Sequence, residues 1–237
     1  MIKPEPLADF KVGVDNVIFS VDLALNRLLV LLVERTEAPY AGAWSLPGTL
    51  VRQGESLEVA ADRILTEKIT GKITLADLYL EQLYSFGGPG RDPREAKSSY
   101  GERYLSVSYF ALVRLETAAL ETGGTWHSLT DLPVLAFDHQ EIVNYGLRRL
   151  RSKLEYSPIA FDVLPSEFTL HDVYQLYTTV LGSGFSDYSN FRNRLLKLGF
   201  LTETDRKVSK GSGRPASLYR FDPIAFAPLQ DKPLLFI

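Results

Sequence analysis

Apolar positions fall into two regimes along the chain. Up to about residue 155 they cluster in β-rich runs separated by two helical patterns. Val12–Val21, Leu28–Glu34, Ser45–Val51, Asp77–Phe86 and Arg103–Arg114 predict strands, the first two joined by a turn over residues 22–26. The last, RYLSVSYFALVR, is long and apolar enough for the interior of a sheet. Leu57–Ile69 predicts a helix with Ala60, Ile64 and Leu65 at core spacing and Ser56 as its N-cap. A second helix runs from His139 to about Leu154, capped by Asp138, with Val143, Leu147, Leu150 and Leu154 in one stripe. A loop rich in Gly, Pro and charge, Gly87–Ser99, is long enough to suggest function.

Tyr156–Pro165 holds two prolines and no clear period, and reads as a partly packed linker. Beyond it the order becomes helix, helix, two short strands. Thr169–Asp172 fits a capping box opening a helix to about Leu181, stopped by Gly182. Ser186 or Asp187 caps the next helix, and Gly199 stands where a C′ glycine belongs. Phe200–Thr204 and Ser217–Phe221 then flank a basic loop. This is the order of a winged helix-turn-helix. The predicted division is residues 1–155 as one domain and 156–237 as a second, smaller one.

Composition narrows the function classes. Hydrophobic residues are 45% and charged residues 23% of 237, the balance of a chain that can bury a core. No apolar run approaches a membrane helix, and Met1–Pro6 lacks the form of a signal peptide, so the cytoplasm is the expected address. The absence of cysteine excludes disulfides, thiolate metal sites and cysteine nucleophiles, and three histidines make a histidine-rich metal site implausible. Net charge is −3, but Ser189–Arg220 alone carries +6 and the remainder −9. A basic patch on an acidic chain is the footprint of a polyanion-binding end.

That patch lies on the second helix of the C-terminal module and on its hairpin. Tyr188, Phe191, Leu195 and Leu198 share one helical face. The opposite side presents Ser189, Asn190, Asn193 and Lys197, with Arg192 and Arg194 on its shoulders. Asn can pair with adenine and Arg with guanine or phosphate, while Lys210 and Arg214 at the hairpin tip suit phosphate or minor-groove contact. An exposed helix serving only protein contacts would show similar polarity. The agreement of polarity, basic wing and domain order favours double-stranded DNA.

In the N-terminal module, Trp44–Lys68 looks like a Nudix box: glycine, five residues, Glu, seven residues, then Arg-Glu-apolar-x-Glu-Glu-x-Gly. Glu55, Arg63, Leu65 and Glu67 match; Thr49 replaces the first glycine, and the closing glycine is displaced to Gly71. Ile64 and Lys68 replace two glutamates. Active Nudix enzymes use carboxylates at i, i+3 and i+4 of this helix to hold magnesium, which demands oxygen ligands. Here those positions read Ile64, Glu67 and Lys68, with a formal charge of 0 in place of −3. The resemblance therefore implies the fold, an α/β (α+β) Nudix sandwich with a mixed sheet, without the hydrolase, and no catalytic Mg is expected.

Nudix box plus winged helix is similar to the Nudix-related transcriptional regulators of NAD metabolism, the NrtR family. Supporting strings are Glu81–Phe86, Arg91–Arg94, Ser106–Leu112, Leu135–His139 and Gly213–Tyr219. The resemblance implies ADP-ribose or a related nucleotide as effector, repression of NAD synthesis or salvage genes, and a homodimer on palindromic operator DNA. Arginine forks suit a pyrophosphate that has lost its metal. Arg35, Arg91, Arg94 and Arg103 are the candidates, with Glu67 of the box beside them and Tyr84 or Phe86 to stack on a base. Each has a plainer alternative: surface charge for the arginines, core packing for Tyr84, an i,i+4 pair with Arg63 for Glu67. Trp44 and Trp126 are expected in the core. Two other classes compete. One is a hydrolase of ADP-ribose-like substrates with metal ligands moved to Glu55, Glu58, Glu81 or Glu102; the other is a nucleotide-binding module that recruits proteins without touching DNA.

Overall fold

The computed structural model describes residues 7–70, 79–98, 101–115, 119–120, 123–182, 185, 187–209, 215–230 and 232–234. The N-terminal part is a mixed sheet built from β1 (Asp9–Asp22), β2 (Arg27–Glu34), β3 (Trp44–Ser45), β4 (Gly48–Leu50), β6 (Tyr79–Phe86), β7 (Glu102–Val113) and β9 (Gly124–Ser128). Its path is β3-β2-β1-β7-β6, with β4 on β1 and β9 on β2. β1 and β7 run parallel in register from Asp9↔Glu102 to Ser20↔Val113, and the other pairs are antiparallel. A separate two-residue pair joins β5 (Ile69–Thr70) to β8 (Ala119–Leu120). The single expected strand over 45–51 divides into β3 and β4 around Leu46-Pro47, because proline cannot donate to a ladder.

Strand alternation feeds two cores. Val14 and Ile18 of β1 face α1 (Leu57–Lys68), which contributes Ala60, Ala61, Ile64 and Leu65. Val17, Phe19 and Val21 face the other way, toward α2 (His139–Leu154) with its Ile142, Val143, Leu150 and Leu154. Helices on both faces make the sandwich. The Asn16 amide on β1 donates to the Ala61 carbonyl at 2.9 Å and ties α1 to the sheet. Ser56 caps α1 as its sequence predicts, whereas Asp138 makes no side-chain cap on α2. Trp44 and Trp126 are only half-buried, packed against the edges of the cores.

Residues 156–165 are no simple linker. Ile159–Val163 forms the helix α3, and Ile159, Ala160, Phe161, Val163 and Leu164 are all buried. Its apolar residues point inward on nearly every side, so no amphipathic period shows in the sequence. α4 (Leu170–Leu181) opens on a complete Thr169–Asp172 capping box, worth ~1 kcal/mol. α5 (Tyr188–Lys197) follows, capped by Asp187, whose carboxylate accepts from Ser189 N–H and Asn190 N–H. Gly199 at φ +76° then reverses the chain, a conformation that suits glycine. β10 (Leu201–Val208) and β11 (Ala216–Phe221) form the wing, to which Phe168 adds a bridge at Tyr219; the short α6 (Pro223–Phe226) follows.

One hydrophobic cluster runs from β1 through α2 into the winged helix without a break. Phe161 stacks on Phe221 at 4.6 Å and meets Phe168 and Phe200. Tyr177 of α4, fully buried, donates to the Leu154 carbonyl at the end of α2, and Arg151 donates to the Val180 carbonyl at 2.9 Å. Among the described residues no helix is long and apolar enough to cross a membrane.

Candidate ligand cleft and nucleic-acid interface

A cleft of about 420 Å³ opens where β1, β4 and the start of β7 meet the 87–98 loop and the N-terminus of α2. Four cations line it, Arg35, Lys68, Arg91 and Arg94, facing four carboxylates, Asp15, Glu34, Glu37 and Asp92. All three arginines are already engaged. Arg91, with its side chain 8% exposed, donates to both oxygens of Asp138 at 2.8 and 2.6 Å and stands 4.0 Å from Asp15. Arg94 forks onto buried Asp92 and lies 4.2 Å above the Tyr104 ring. Burial alone pushes the Asp92 carboxyl up, but its bonds to Arg94 win and hold it below its usual range. Arg35 donates to the Pro39 carbonyl at 2.7 Å and covers Phe137 at 4.8 Å.

The back wall is polar and buried. His139 Nδ1 accepts the Leu46 N–H at 2.9 Å, so its proton sits on Nε2, 3.7 Å from Asp15 Oδ1. Burial lowers the His139 pKa against the opposing pull of Asp15 and Asp138, keeping the ring neutral. Asp15 also accepts the Ser106 hydroxyl at 2.5 Å. A Cβ at Gly48 would lie 1.9 Å from Asp15 Oδ1, so any larger residue there would displace the Asp15 carboxylate.

Three of the seven expected ligand residues line this cleft: Arg35, Arg91 and Arg94. The structure places the other four outside it. Glu67 projects outward and pairs with Arg63 at 3.6 Å. Tyr84 is 54% exposed and stacks on Tyr145 of α2 at 5.3 Å, while Phe86 is buried against the same ring. Arg103 donates to the Gly87 carbonyl at 2.5 Å and covers Phe10. Neighbours on a strand point to opposite faces, and on β7 it is Tyr104 that turns to the cleft. Tyr104 and Phe137 are aromatic residues that do line the cleft. Alternation in β7 could have flagged the Arg103/Tyr104 pair but not which of them faces inward. Phe137, at φ +54°, carried no such signal.

The box retains its frame. Glu55 accepts two bonds from Arg63, at 2.7 and 3.0 Å, and one from the Arg52 N–H. Ile64 is 2% exposed among Val14, Ala60, Ala61, Val107 and Tyr109, and Lys68 lines the cleft. The four glutamates considered as relocated metal ligands are bound elsewhere: Glu55 to Arg63, Glu58 to Tyr109, Glu81 to Arg149 and Lys153, Glu102 to Lys11. Among the described residues no group of three or more His, Asp or Glu side chains is arranged to hold a metal ion.

On the winged helix, α5 buries Leu195 in the shared core and Phe191 against Tyr174, Tyr177 and Phe185. Ser189, Asn190, Arg192, Asn193, Arg194 and Lys197 are all exposed on its other side. Tyr188, expected in the buried stripe, is 37% exposed and edges onto Tyr174 and His171, because the first turn of α5 overhangs the core. The Asn190 amide bonds to Asp187. On the wing, Arg206 and Arg220 share Glu167 at 2.8 and 2.6 Å. Lys210 and Arg214 lie outside the described residues.

Fold and cleft together define a Nudix-type binding domain fused to a winged helix-turn-helix. Family models agree: a NUDIX domain matches residues 9–146, and the AraR C-terminal winged HTH domain matches 156–237. The chain is 34% identical over 226 residues to the ADPR responsive transcriptional repressor NtrR of Acinetobacter baylyi, covering 92% of this chain and 83% of that protein. It resembles Shewanella oneidensis NrtR, solved with a 27mer DNA, at TM-score 0.75 and 30% identity over 94% of this chain and 98% of that one. A MutT/nudix family protein from Enterococcus faecalis matches at TM-score 0.70 and 26% identity, covering 94% of this chain and 90% of its own. An ADP-ribose pyrophosphatase of Methanocaldococcus jannaschii is 33% identical over 121 residues, 50% of this chain and 66% of that enzyme. The chain belongs to the Nudix family and, within it, to the transcriptional repressors represented by NtrR.

Proposed function

We propose that this protein represses transcription of genes for NAD synthesis or salvage and responds to ADP-ribose or a related nucleotide bound in the cleft. The observation that carries it is the cleft itself: a cation, Lys68, at a position where a Nudix hydrolase places a metal-binding carboxylate, with Arg35, Arg91 and Arg94 lining the same cleft. These cations offer a pyrophosphate the charge that Mg²⁺ supplies in the enzymes. With Ile64 in the core and Lys68 in the cleft, the ligand is bound and left intact, without a metal cofactor.

The winged helix carries the same function to DNA. α5 enters the major groove with Arg192, Asn193 and Lys197 presented, and Lys210 and Arg214 serve phosphate or minor-groove contact. A homodimer formed by the Nudix domains, residues 1–155, presents two winged helices, residues 156–237, to a palindrome in the cytoplasm. The supporting facts are the exposed polar face of α5 and the relatedness to NtrR.

The test is a titration of fluorescent DNA from the gene's own upstream region, with and without ADP-ribose, alongside a Mg²⁺-dependent assay for release of AMP and ribose phosphate. Salt-sensitive, saturable binding that shifts with ADP-ribose, with no hydrolysis, supports the reading. Turnover within a few orders of magnitude of an ordinary Nudix enzyme, or no preference for that DNA over random sequence, overturns it.

A further inference from the structure

Asp138 sits at the N-cap of α2, yet its side chain caps nothing. A carboxylate at a helix N-terminus ordinarily accepts the unpaired N–H groups of the first turn, a favourable use of the helix dipole. Here both of its oxygens are spent on Arg91, which lines the cleft. In that turn the His139 and Glu141 N–H groups already donate to the Ala136 and Asp138 carbonyls, so the carboxylate's second use is the Gln140 N–H. It cannot serve that group and both Arg91 donors fully at once.

The other end of α2 explains why this matters. The helix spans 16 residues, about 24 Å at 1.5 Å per residue. Its last turns are embedded in the winged helix: Leu150 and Leu154 belong to the shared core, Arg151 donates to Val180, and Leu154 accepts from Tyr177. One rigid rod thus has its first turn in the wall of the cleft and its last turns in the DNA-binding domain. Close-packed interiors shift between discrete arrangements and pass a displacement along.

We infer that Arg91 and Asp138 form the switch between cleft and winged helix: an anionic ligand draws Arg91 from Asp138, Asp138 turns to cap α2, and the helix re-seats against the domain it carries. This rests on the function proposed above and adds its mechanism. A phosphate group offers Arg91 the same forked geometry that Asp138 offers, so the exchange keeps a charged pair in a nearly buried site. Nε2 of neighbouring His139 and the Asp15 carboxylate remain as the fixed wall against which Arg91 moves.

The experiment uses the full chain, a DNA fragment selected by the unmodified protein, and ADP-ribose as probe. Two variants are compared with it: Asp138→Asn, nearly isosteric, and Asp138→Ser, which keeps a strong N-cap but cannot hold Arg91. Removing a competitor for Arg91 should tighten ADP-ribose binding, on the order of fivefold or more, within the usual range of coupling between sites. Without ADP-ribose, both variants should bind DNA as the unmodified protein does when saturated with it, and adding ADP-ribose should then change little. Variants that bind ADP-ribose more weakly, or that couple it to DNA as the unmodified protein does, overturn the switch. A merely structural defect in the cleft would weaken binding, so the direction separates the two. An unmodified protein that binds ADP-ribose without any effect on DNA binding overturns the switch together with the functional reading, and that failure is visible before any variant is made.

Discussion

Arg63 grips Glu55 through Nε and Nη2, joining the middle of α1 to the loop that precedes it. This pair fixes the curvature of the Nudix loop regardless of what chemistry the loop serves. The pair is in place although Ile64 and Lys68 stand at two of the box helix's three carboxylate positions, so the loop is held to the helix independently of those residues.

The bonds from Arg63, and then from the Arg52 N–H, bring the Glu55 carboxyl down to about 2 from 4.5. A depressed acid stabilises the fold fully above its unfolded value. The contribution is lost as pH falls from 4.5 toward 2. Arg63→Gln should return the Glu55 titration toward 4.5, as read by carboxyl carbon NMR, and should flatten the acid limb of stability in that window.

His139 gives the opposite end of the scale. Burial holds its folded pKa below 6.5, so folding excludes the proton that the unfolded ring accepts. Its contribution is present above 6.5 and declines on acidification below it. His139→Asn should reduce the slope of stability against pH on the acid side of 6.5 in chemical denaturation. An unchanged slope would show that the ring is readily protonated in place.

Lys68→Glu should weaken ADP-ribose binding in chelator by about tenfold or more, equivalent to ~1.4 kcal/mol, by placing a carboxylate against phosphate. Ile64→Glu should instead lower stability, since Ile64 is 2% exposed in the core. Isothermal titration and thermal melts separate the two effects. Tighter binding by the Lys68→Glu protein in chelator would place the phosphates elsewhere.

On the winged helix, Asn193→Ala should cost about 1–3 kcal/mol of affinity for the operator and little for random DNA, whereas Lys197→Ala should weaken both and reduce the salt slope by about one. Equal losses on both DNAs for Asn193→Ala would assign it to the backbone.

Phe161→Ala should destabilise the chain by about 3–5 kcal/mol, because the ring is 7% exposed and stacked on Phe221. Since the cluster is continuous through α2, the Nudix and winged-helix parts should lose stability in one transition. Two separate calorimetric transitions in the unmodified protein would contradict that continuity.

Local devices and the order of elements are legible from the residues alone. Ser56, Thr169 with Asp172, and Gly199 are read from a few adjacent residues because a cap or a C′ turn is closed by its own neighbours. The long strands and α2 show their period for a similar reason: one face meets a core and the other does not. The arrangement of charge in the cleft was a different matter. Arg35, Arg91 and Arg94 are recognisable as phosphate-binding types, but their partners lie 4, 47 and 2 residues away, and spacing carries no trace of the pair across 47. It takes the folded chain to show that Tyr104 rather than Arg103 faces inward, that Asp138 holds Arg91 in place of capping its helix, and that residues 159–163 form a helix in the heart of the winged domain. Each depends on what the rest of the chain brings to it. A side chain's face, a carboxylate's choice between two donors and an apolar segment buried all round are settled by packing, which no short-range pattern records.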